Sequence, residues 1–532
     1  MKPQIVASNF RNIFPEDRFL ASKEEIQVYK SNTIGCEREI RAVVKPISLE
    51  EVIKTVRIAQ EFLIHLYPIS RGNNWGYGSS NPISDNNVIV DLSLMNNIIE
   101  MDDELGVVTL EPGVTHAQLT KYLLNRNLKY MVPVHGGGPN CSLIGNALER
   151  GYGITPFTDH FSSVLSLEAV LPNSKVYKGR LSELGGELID KLFKWGVGPY
   201  LDGLFSQGNF GIVTKMSLSL APRPDTIKAF MFSAKKYELL EDLVLEVREI
   251  LKTFGSNVSS INLMNDYRML SMIESFPKQY HAEGIIPQST VDSMIMKHKF
   301  GAWTGLGSMY GHKKVVDAVS GVIKQRLKPH VDRLIFFDDN LLRRIRWISQ
   351  FAPKTLKQII LSKISIFNNT LDILKGIPNE VALPLAYWRS GNQPMSDKNP
   401  ARDGCGLIWY TPLVPMKADL VKQFVEFIKN ICTYYRFNPL ITLTSLSDKC
   451  FDSTVPILFD RYNEKDKNRA IVCYETLFKE GKKLGFIPYR ANIDHMDLLD
   501  DLSKPYWEFT CNLKKAVDPN NLISPGRYVN IC

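Results

Sequence analysis

The eleven residues SRGNNWGYGSS, Ser70 to Ser80, constrain the chain most, because three glycines, two asparagines and an arginine separate two apolar runs that read as strands. Glycine admits backbone conformations closed to other residues, so successive N–H groups in such a turn converge into a nest for phosphate oxygens. Ser70 and Arg71 add side-chain donors. The loop matches neither the GxGxxG of a Rossmann helix start nor the GxxxxGK[ST] of a P-loop. It predicts a phosphate-binding loop of a different fold, the plainer alternative being an ordinary turn between strands.

Before the loop, REIRAVVKPI reads as a strand and SLEEVIKTVRIAQEFLI as a helix that starts with a capping pair, Ser48 and Glu51. After it, NVIVDLSLMN, GVVTLEPGVTHAQL and YMVPVHGGGPN give short strands among helices, predicting an α+β domain. A second glycine cluster, Gly136 to Gly138, leads into CSLIGNALERGYGITPF. A third, SQGNFGIVTKMSLSLAPRP, stops at Pro222 and Pro224, which sets a boundary between 1–224 and a second unit. From 225 to 486, amphipathic helices such as ADLVKQFVEFIKNICTYY alternate with strands GLIWYTPLVPM and NPLITLTSL, again α+β. A last helix runs into PNNLISPGRY, a rigid turn that fixes the direction of Arg527.

At 532 residues the chain calls for two or three folded units. A net charge of +8 with dispersed Lys and Arg does not call for nucleic acid. The N-terminus lacks an apolar signal-peptide core and no run is long enough to span a bilayer, so a cytoplasmic protein with no membrane partner is expected. The eight cysteines are scattered without metal spacing, which predicts reduced thiols and no metal.

RGNNWGYGSS, VVTLEPGVTHAQL, LIGNALERGYGITPFTDHF, FKWGVGPYLDGLFSQGNFGIVTKMSLSLAPRP and KKAVDPNNLISPGRY, in this order, resemble the flavin-binding domain of the vanillyl-alcohol oxidase and 4-cresol methylhydroxylase family. The resemblance covers most of residues 40 to 224 and roughly the last fifty. It implies a two-subdomain FAD-binding domain of the PCMH type, an α+β cap that holds the substrate, and a return to the flavin domain over 487–532. By this resemblance Ser70, Arg71, Gly72, Asn73, Asn74, Gly76 and Ser79 hold the pyrophosphate, while Pro112 and Gly113 line the adenine and pyrophosphate path. Gly136, Gly145, Asn146, Arg150, Gly151 and Gly153 approach the ribityl and isoalloxazine portions, Ile212 and Val213 contact the flavin through their backbone, and Arg527 places a positive charge near N1. Leu407 stands where the oxidase carries its flavin-linked histidine, and Asn399 near the methylhydroxylase's linked tyrosine, so non-covalent FAD is expected.

The family binds a phenolate oxygen through residues matched here by Tyr77, Tyr489 and Arg490. Two hydroxyls and a guanidinium favour the anion over the neutral phenol. Where the oxidase places an assisting aspartate this chain reads VPVHGGG, which offers His135 as a base, or as a structural histidine. The methylhydroxylase's cap glutamate falls near Thr442. The resemblance thus implies an FAD-linked oxidase or dehydrogenase acting on a phenolic or benzylic small molecule, with O2, a cytochrome or a quinone as electron acceptor and a homodimer formed through the cap. The alternatives are the same chemistry on a non-aromatic hydroxy acid or natural-product intermediate gripped by Arg490, and a catalytically silent binding protein.

Overall fold

In the computed structural model, residues 9–390, 394 and 396–530 are described. The alternating apolar runs around the glycine loop become a four-stranded sheet, ordered β1 (Phe19–Leu20), β2 (Ile40–Val44), β4 (Asn87–Asp91), β3 (Leu66–Ile69). β2 and β3 both run parallel to β4, and the crossover between β2 and β3 is α1 (Leu49–Phe62). Ser48 caps that helix by accepting the Glu51 N–H, and its apolar stripe Val52, Val56 and Ala59 is fully buried. Burial of β4 on both faces explains its unbroken apolar run.

A second, antiparallel sheet of five strands has the order β5 (Ile98–Asp102), β6 (Val107–Leu110), β10 (Ile212–Ser219), β8 (Val164–Val170), β9 (Val176–Tyr177). A two-stranded ribbon, β7 (Tyr130–Met131) with β11 (Ala221–Pro222), closes this region just before the chain leaves it. The expected proline exit therefore coincides with an edge, where the missing proline N–H is harmless.

The third sheet is built from residues 226 to 459: β12 (Thr226–Ala234), β13 (Asn262–Asn265), β14 (Trp303–Gly311), β15 (Arg333–Phe337), β16 (Gly406–Tyr410), β17 (Leu413–Pro415), β18 (Thr442–Ser445) and β19 (Cys450–Phe459). Its spatial order is β15-β12-β14-β13-β18-β19-β16, all antiparallel, with β17 beside β19. One face is covered by helices that include α3 (Leu240–Phe254), α5 (Lys313–Leu327), α6 (Ala418–Tyr434) and α7 (Glu464–Lys483), whose apolar faces form the largest core. The other face remains partly open and forms the wall of a cavity. α4 (Asp266–Ile273) follows β13 directly at that wall.

The chain then returns. Pro488 bridges Pro412, Tyr489 N–H donates to the Thr411 carbonyl at 3.2 Å, and Ile493 N–H donates to the Tyr77 carbonyl at 3.1 Å. The last helix, α8 (Pro505–Val517), buries Lys514 completely against Asp518 at 2.6 Å. Asp518 also accepts the N–H groups of Leu522 and Ile523, and Leu66 exchanges backbone bonds with Leu522 and Ser524. A buried ion pair thus welds the C-terminal turn to the first sheet. Six cysteines are free thiols. Cys511 is disulfide-bonded, which corrects the expectation of reduced thiols throughout: scattered spacing gave no sign of pairing.

Candidate functional site

A cavity of about 520 Å³ lies where the glycine loop, the second glycine cluster, the open face of the cap sheet and the C-terminal return meet. Its architecture follows strand alternation. Asn262 and Met264 on β13, Thr442 and Thr444 on β18, and Leu407 and Trp409 on β16 are i, i+2 pairs pointing to one face, and all six line the cavity.

The Ser70–Ser80 loop forms the opposite wall. No backbone N–H from Arg71 to Trp75 finds an acceptor among the described residues, and the buried Ser79 hydroxyl is likewise without a partner. Gly72 has φ of +67°, the left-handed conformation that turns such donors inward. The buried Ser79 hydroxyl without a partner and the open N–H groups beside it at the cavity wall are donors suited to an anionic ligand, so this run fits a pyrophosphate. Ser70, Arg71, Gly72, Asn73, Asn74 and Ser79 all line the cavity, as do Gly136, Gly145, Asn146, Gly151, Gly153 and Val213.

Five expected cofactor residues lie behind the wall. Gly76 packs under Trp409, leaving no room for a Cβ. The Pro112 carbonyl accepts the Ser142 hydroxyl at 2.6 Å, and Gly113 N–H donates to the Met95 carbonyl at 2.7 Å. Together they anchor the start of α2 (Leu143–Leu148), which Ser142 caps. Arg150 turns away to Ser206 at 2.9 Å, and Ile212 is buried in the core of the first sheet. Sequence alone does not separate a glycine that faces a ligand from one that lets two segments pack.

Tyr77, Tyr489 and Arg490 do meet. The Arg490 guanidinium lies over the Tyr77 ring with Cζ 3.9 Å from its centre, and the Tyr77 hydroxyl donates to Thr411 Oγ1 at 3.3 Å. Tyr489 stacks obliquely on Tyr152, ring centres 5.8 Å apart. Burial drives both tyrosines to titrate well above their usual range, so they remain hydrogen-bond donors. Arg490 Nη2 donates to Asn74 Oδ1 at 2.7 Å and Glu149 Oε2 at 2.9 Å, while its Nε is buried without a partner.

Glu149 is the organising carboxylate, and the sequence reading passed over it although it sits inside GNALERG beside the glycines. It bridges Arg490 and Arg527, whose Nη2 donates to its other oxygen. Arg527 also donates to the Tyr67 hydroxyl at 3.3 Å. Burial would raise the Glu149 carboxyl, but the Arg527 and Arg490 charges outweigh it and hold it below its ordinary range. Arg527 lines the cavity, with Glu149 as its protein partner.

His135 lines the cavity beside two further buried imidazoles, His116 and His160, with ring centres 4.7 Å and 6.2 Å away. Burial, reinforced by the neighbouring rings, pushes its titration well below 6.5. Its Nδ1 accepts the Gly137 N–H at 2.9 Å, so the proton of the neutral ring is on Nε2. Two groups gave no sequence signal. Asp452, paired with Thr444 across β18 and β19, is wholly buried near Arg490, with both oxygens unpartnered and its titration driven well above 3.8 by burial. Arg268 on α4 also lines the cavity, its Nε donating to Thr442 Oγ1 at 3.0 Å. Arg268 sits in the helix DYRMLSMI and Asp452 in the strand CFDSTVPILF, neither within a recognisable motif. Leu407 reaches the cavity with no nucleophile to offer, and the Asn399 side chain instead accepts the Arg402 N–H at 3.2 Å.

An FAD binding domain model matches residues 40–180. The chain is 32% identical over 498 residues to 1'-carboxy-chondrochloren decarboxylase of Chondromyces crocatus, covering 93% of this chain and 92% of the relative. It is 27% identical over 523 residues to the 4-cresol dehydrogenase [hydroxylating] flavoprotein subunit of Pseudomonas putida, covering 97% and 94%. A crystal structure of p-cresol methylhydroxylase with substrate bound superposes with a TM-score of 0.88 at 26% identity, covering 99% of this chain and 97% of the other. These likenesses span both sheets of the flavin domain, the cap and the C-terminal return that together enclose the cavity. The chain belongs to the vanillyl-alcohol oxidase and 4-cresol methylhydroxylase family of FAD-dependent oxidoreductases.

Proposed function

We propose that this enzyme oxidises a para-substituted phenol held as its phenolate by Tyr77, Tyr489 and Arg490. The observation that carries the reading is the convergence of these three side chains at one end of the cavity, with Arg490 Nε buried and unpartnered. FAD, when bound, supplies the two-electron oxidant that accepts a hydride from the substrate carbon.

The chain's own residues do the rest. The unpaired N–H run from Arg71 to Trp75 and the Ser79 hydroxyl hold the pyrophosphate. The two buried hydroxyls and the guanidinium stabilise the phenolate oxygen, and this charge makes the para position electron-rich. Glu149, ionised between two guanidinium groups, keeps Arg490 aimed at the phenol end. Trp409 and Leu407 exclude water from the cap side. His135, neutral at physiological pH, shapes the wall as a hydrogen-bond donor. The flavin is held without a covalent link, the 225–486 unit acts as the substrate cap, and two such chains pair through it.

Anaerobic mixing with 4-alkylphenols, followed at the flavin absorbance, tests the reading. Bleaching by 4-alkylphenols, slowed at least about a hundredfold by Arg490→Ala as for loss of a preorganised charge, is the expected result. Bleaching by aliphatic hydroxy acids and not by phenols, or phenol turnover unchanged in Tyr489→Phe and Arg490→Ala, overturns it. Of the two relatives named above, one is a 4-cresol dehydrogenase and the other a decarboxylase of a carboxy-bearing compound.

A further inference from the structure

Arg268 is 8% exposed, and Arg389 and Arg490 are the other arginines buried to this degree among the described residues. Arg389 pairs with Asp466 at 3.4 Å and Arg490 with Glu149 at 2.9 Å. No carboxylate among the described residues lies within ion-pair distance of Arg268. Among the described residues its sole hydrogen bond from the guanidinium goes to the Thr442 hydroxyl, and Nη1 is buried with no partner there. Burial lowers its titration only to about 10, so it is a full cation at neutral pH. Leaving such a charge desolvated and unpaired is among the costliest arrangements in a folded protein.

The side chain is held there by design of the local fold. Asn265 ends β13 and caps α4, accepting the Arg268 N–H at 3.1 Å, which fixes the helix start and delivers the guanidinium to the cavity wall. Around it the wall supplies further polar atoms: the hydroxyls of Thr442, Thr444 and Thr454, and Asn262, whose Oδ1 is unpartnered. Thr442 pairs with Thr454, whereas Thr444 pairs with Asp452, the residue that senses Arg490. The Arg268 row is thus displaced two residues along the strands, about 7 Å, from the row nearest the phenol end.

We propose that Arg268, with the Thr442 hydroxyl, is the receptor for a carboxylate carried on the substrate's side chain, away from the phenolate oxygen. The inference rests on the phenol reading for the rest of the molecule and makes the substrate a phenol with an acidic para side chain. A planar guanidinium offers a carboxylate two parallel N–H donors, and burial makes that pair stronger than at a surface.

The test compares two ligands with the same ring, 3-(4-hydroxyphenyl)propanoate and 4-propylphenol, titrated into the FAD-loaded protein and read from the flavin difference spectrum. Wild type is expected to bind the propanoate about ten- to a hundredfold more tightly. Arg268→Met should abolish that preference while leaving the 4-propylphenol Kd within about threefold, and Arg268→Lys should keep part of it. Equal affinities in wild type, or equal losses for both ligands in Arg268→Lys, overturn the proposal, and the wild-type comparison does so whether or not Arg268→Met folds. If 4-propylphenol binds and the propanoate gains nothing, the receptor fails and the phenol reading stands. If neither phenol binds but 2-hydroxyglutarate does so in an Arg268-dependent way, the phenol reading fails and the receptor stands.

Discussion

Replacing Glu149 with Gln keeps the shape of the Arg490 and Arg527 bridge and removes its negative charge, so it isolates the electrostatic role of the carboxylate. Glu149 Oε2 is 2.9 Å from Arg490 Nη2, and the same guanidinium lies 3.9 Å above the Tyr77 ring, with an unpartnered Nε. These distances put the carboxylate about 7 Å from a phenolate oxygen bound at Arg490, where two unit charges at an effective dielectric of 20 interact by about 2 kcal/mol. Removing the repulsion should lower the apparent pKa of a bound phenol by about 1.5 units and tighten phenolate binding about thirtyfold. Stability should move the opposite way, because stranding two buried cations costs about 3–5 kcal/mol. The assay is a pH series of ligand titrations with a phenol whose phenolate absorbs apart from the flavin, alongside thermal melts. The sign of the acid limb is also fixed. Glu149 titrates below its ordinary 4.5, so its contribution to stability is fully present above that pH and is lost as pH falls through the folded value. The variant should therefore lose less stability than wild type on acidification. Unchanged phenol pKa and affinity in Glu149→Gln would refute the view that this carboxylate sets the potential at the phenol end.

Lys514→Ala strands the buried Asp518 and should cost about 3–5 kcal/mol in chemical denaturation, with weakened FAD retention because Arg527 lies on the turn this pair holds. Asp452→Asn should stabilise: its carboxyl titrates well above 3.8 through burial, so folding favours the protonated form and stability falls as pH rises toward the folded value. The gain of Asp452→Asn over wild type should accordingly grow between pH 4 and pH 7, and a gain that shrinks with pH counts against the assignment. Acid precipitation should release all the yellow colour to the supernatant, as Leu407 and Asn399 offer no nucleophile; a yellow pellet refutes non-covalent binding.

The parts of this fold that were legible beforehand are those in which local chemistry and tertiary role coincide. The helix 49–62 announces itself because Ser48 and the Val52, Val56, Ala59 stripe serve both the helix and the core it packs on. The Ser70–Ser80 loop is legible as a cavity-lining turn because its open N–H groups need little beyond its own backbone. The proximity of Tyr77, Tyr489 and Arg490 was legible through flanking sequence, although more than four hundred positions separate the first from the last. Gly113 and Ile212 mark the limit of that approach: each belongs to a motif that surrounds the cavity, yet each packs against protein. Glu149, Asp452 and Arg268 were illegible for a further reason. Their significance lies in which charges the fold brings near them, or withholds, and a contact between positions 149, 490 and 527 has no local pattern.

That cluster also explains why the C-terminal return follows the cap instead of preceding it. Arg490 and Arg527 reach one carboxylate from two segments that are fastened differently: residues 488–493 between Thr411 of the cap and Tyr77 of the glycine loop, and Arg527 by the turn that Lys514 and Asp518 bind to the first sheet. Glu149, at the end of the second glycine cluster, is the common point. A charge buried at such a junction is tolerable only when all three segments are in place, so loss of any one partner should destabilise the contact of the other two. The two guanidinium groups thus tie the cap, the glycine loop and the C-terminal turn to one carboxylate, and Arg490 keeps its unpartnered Nε beside Tyr77.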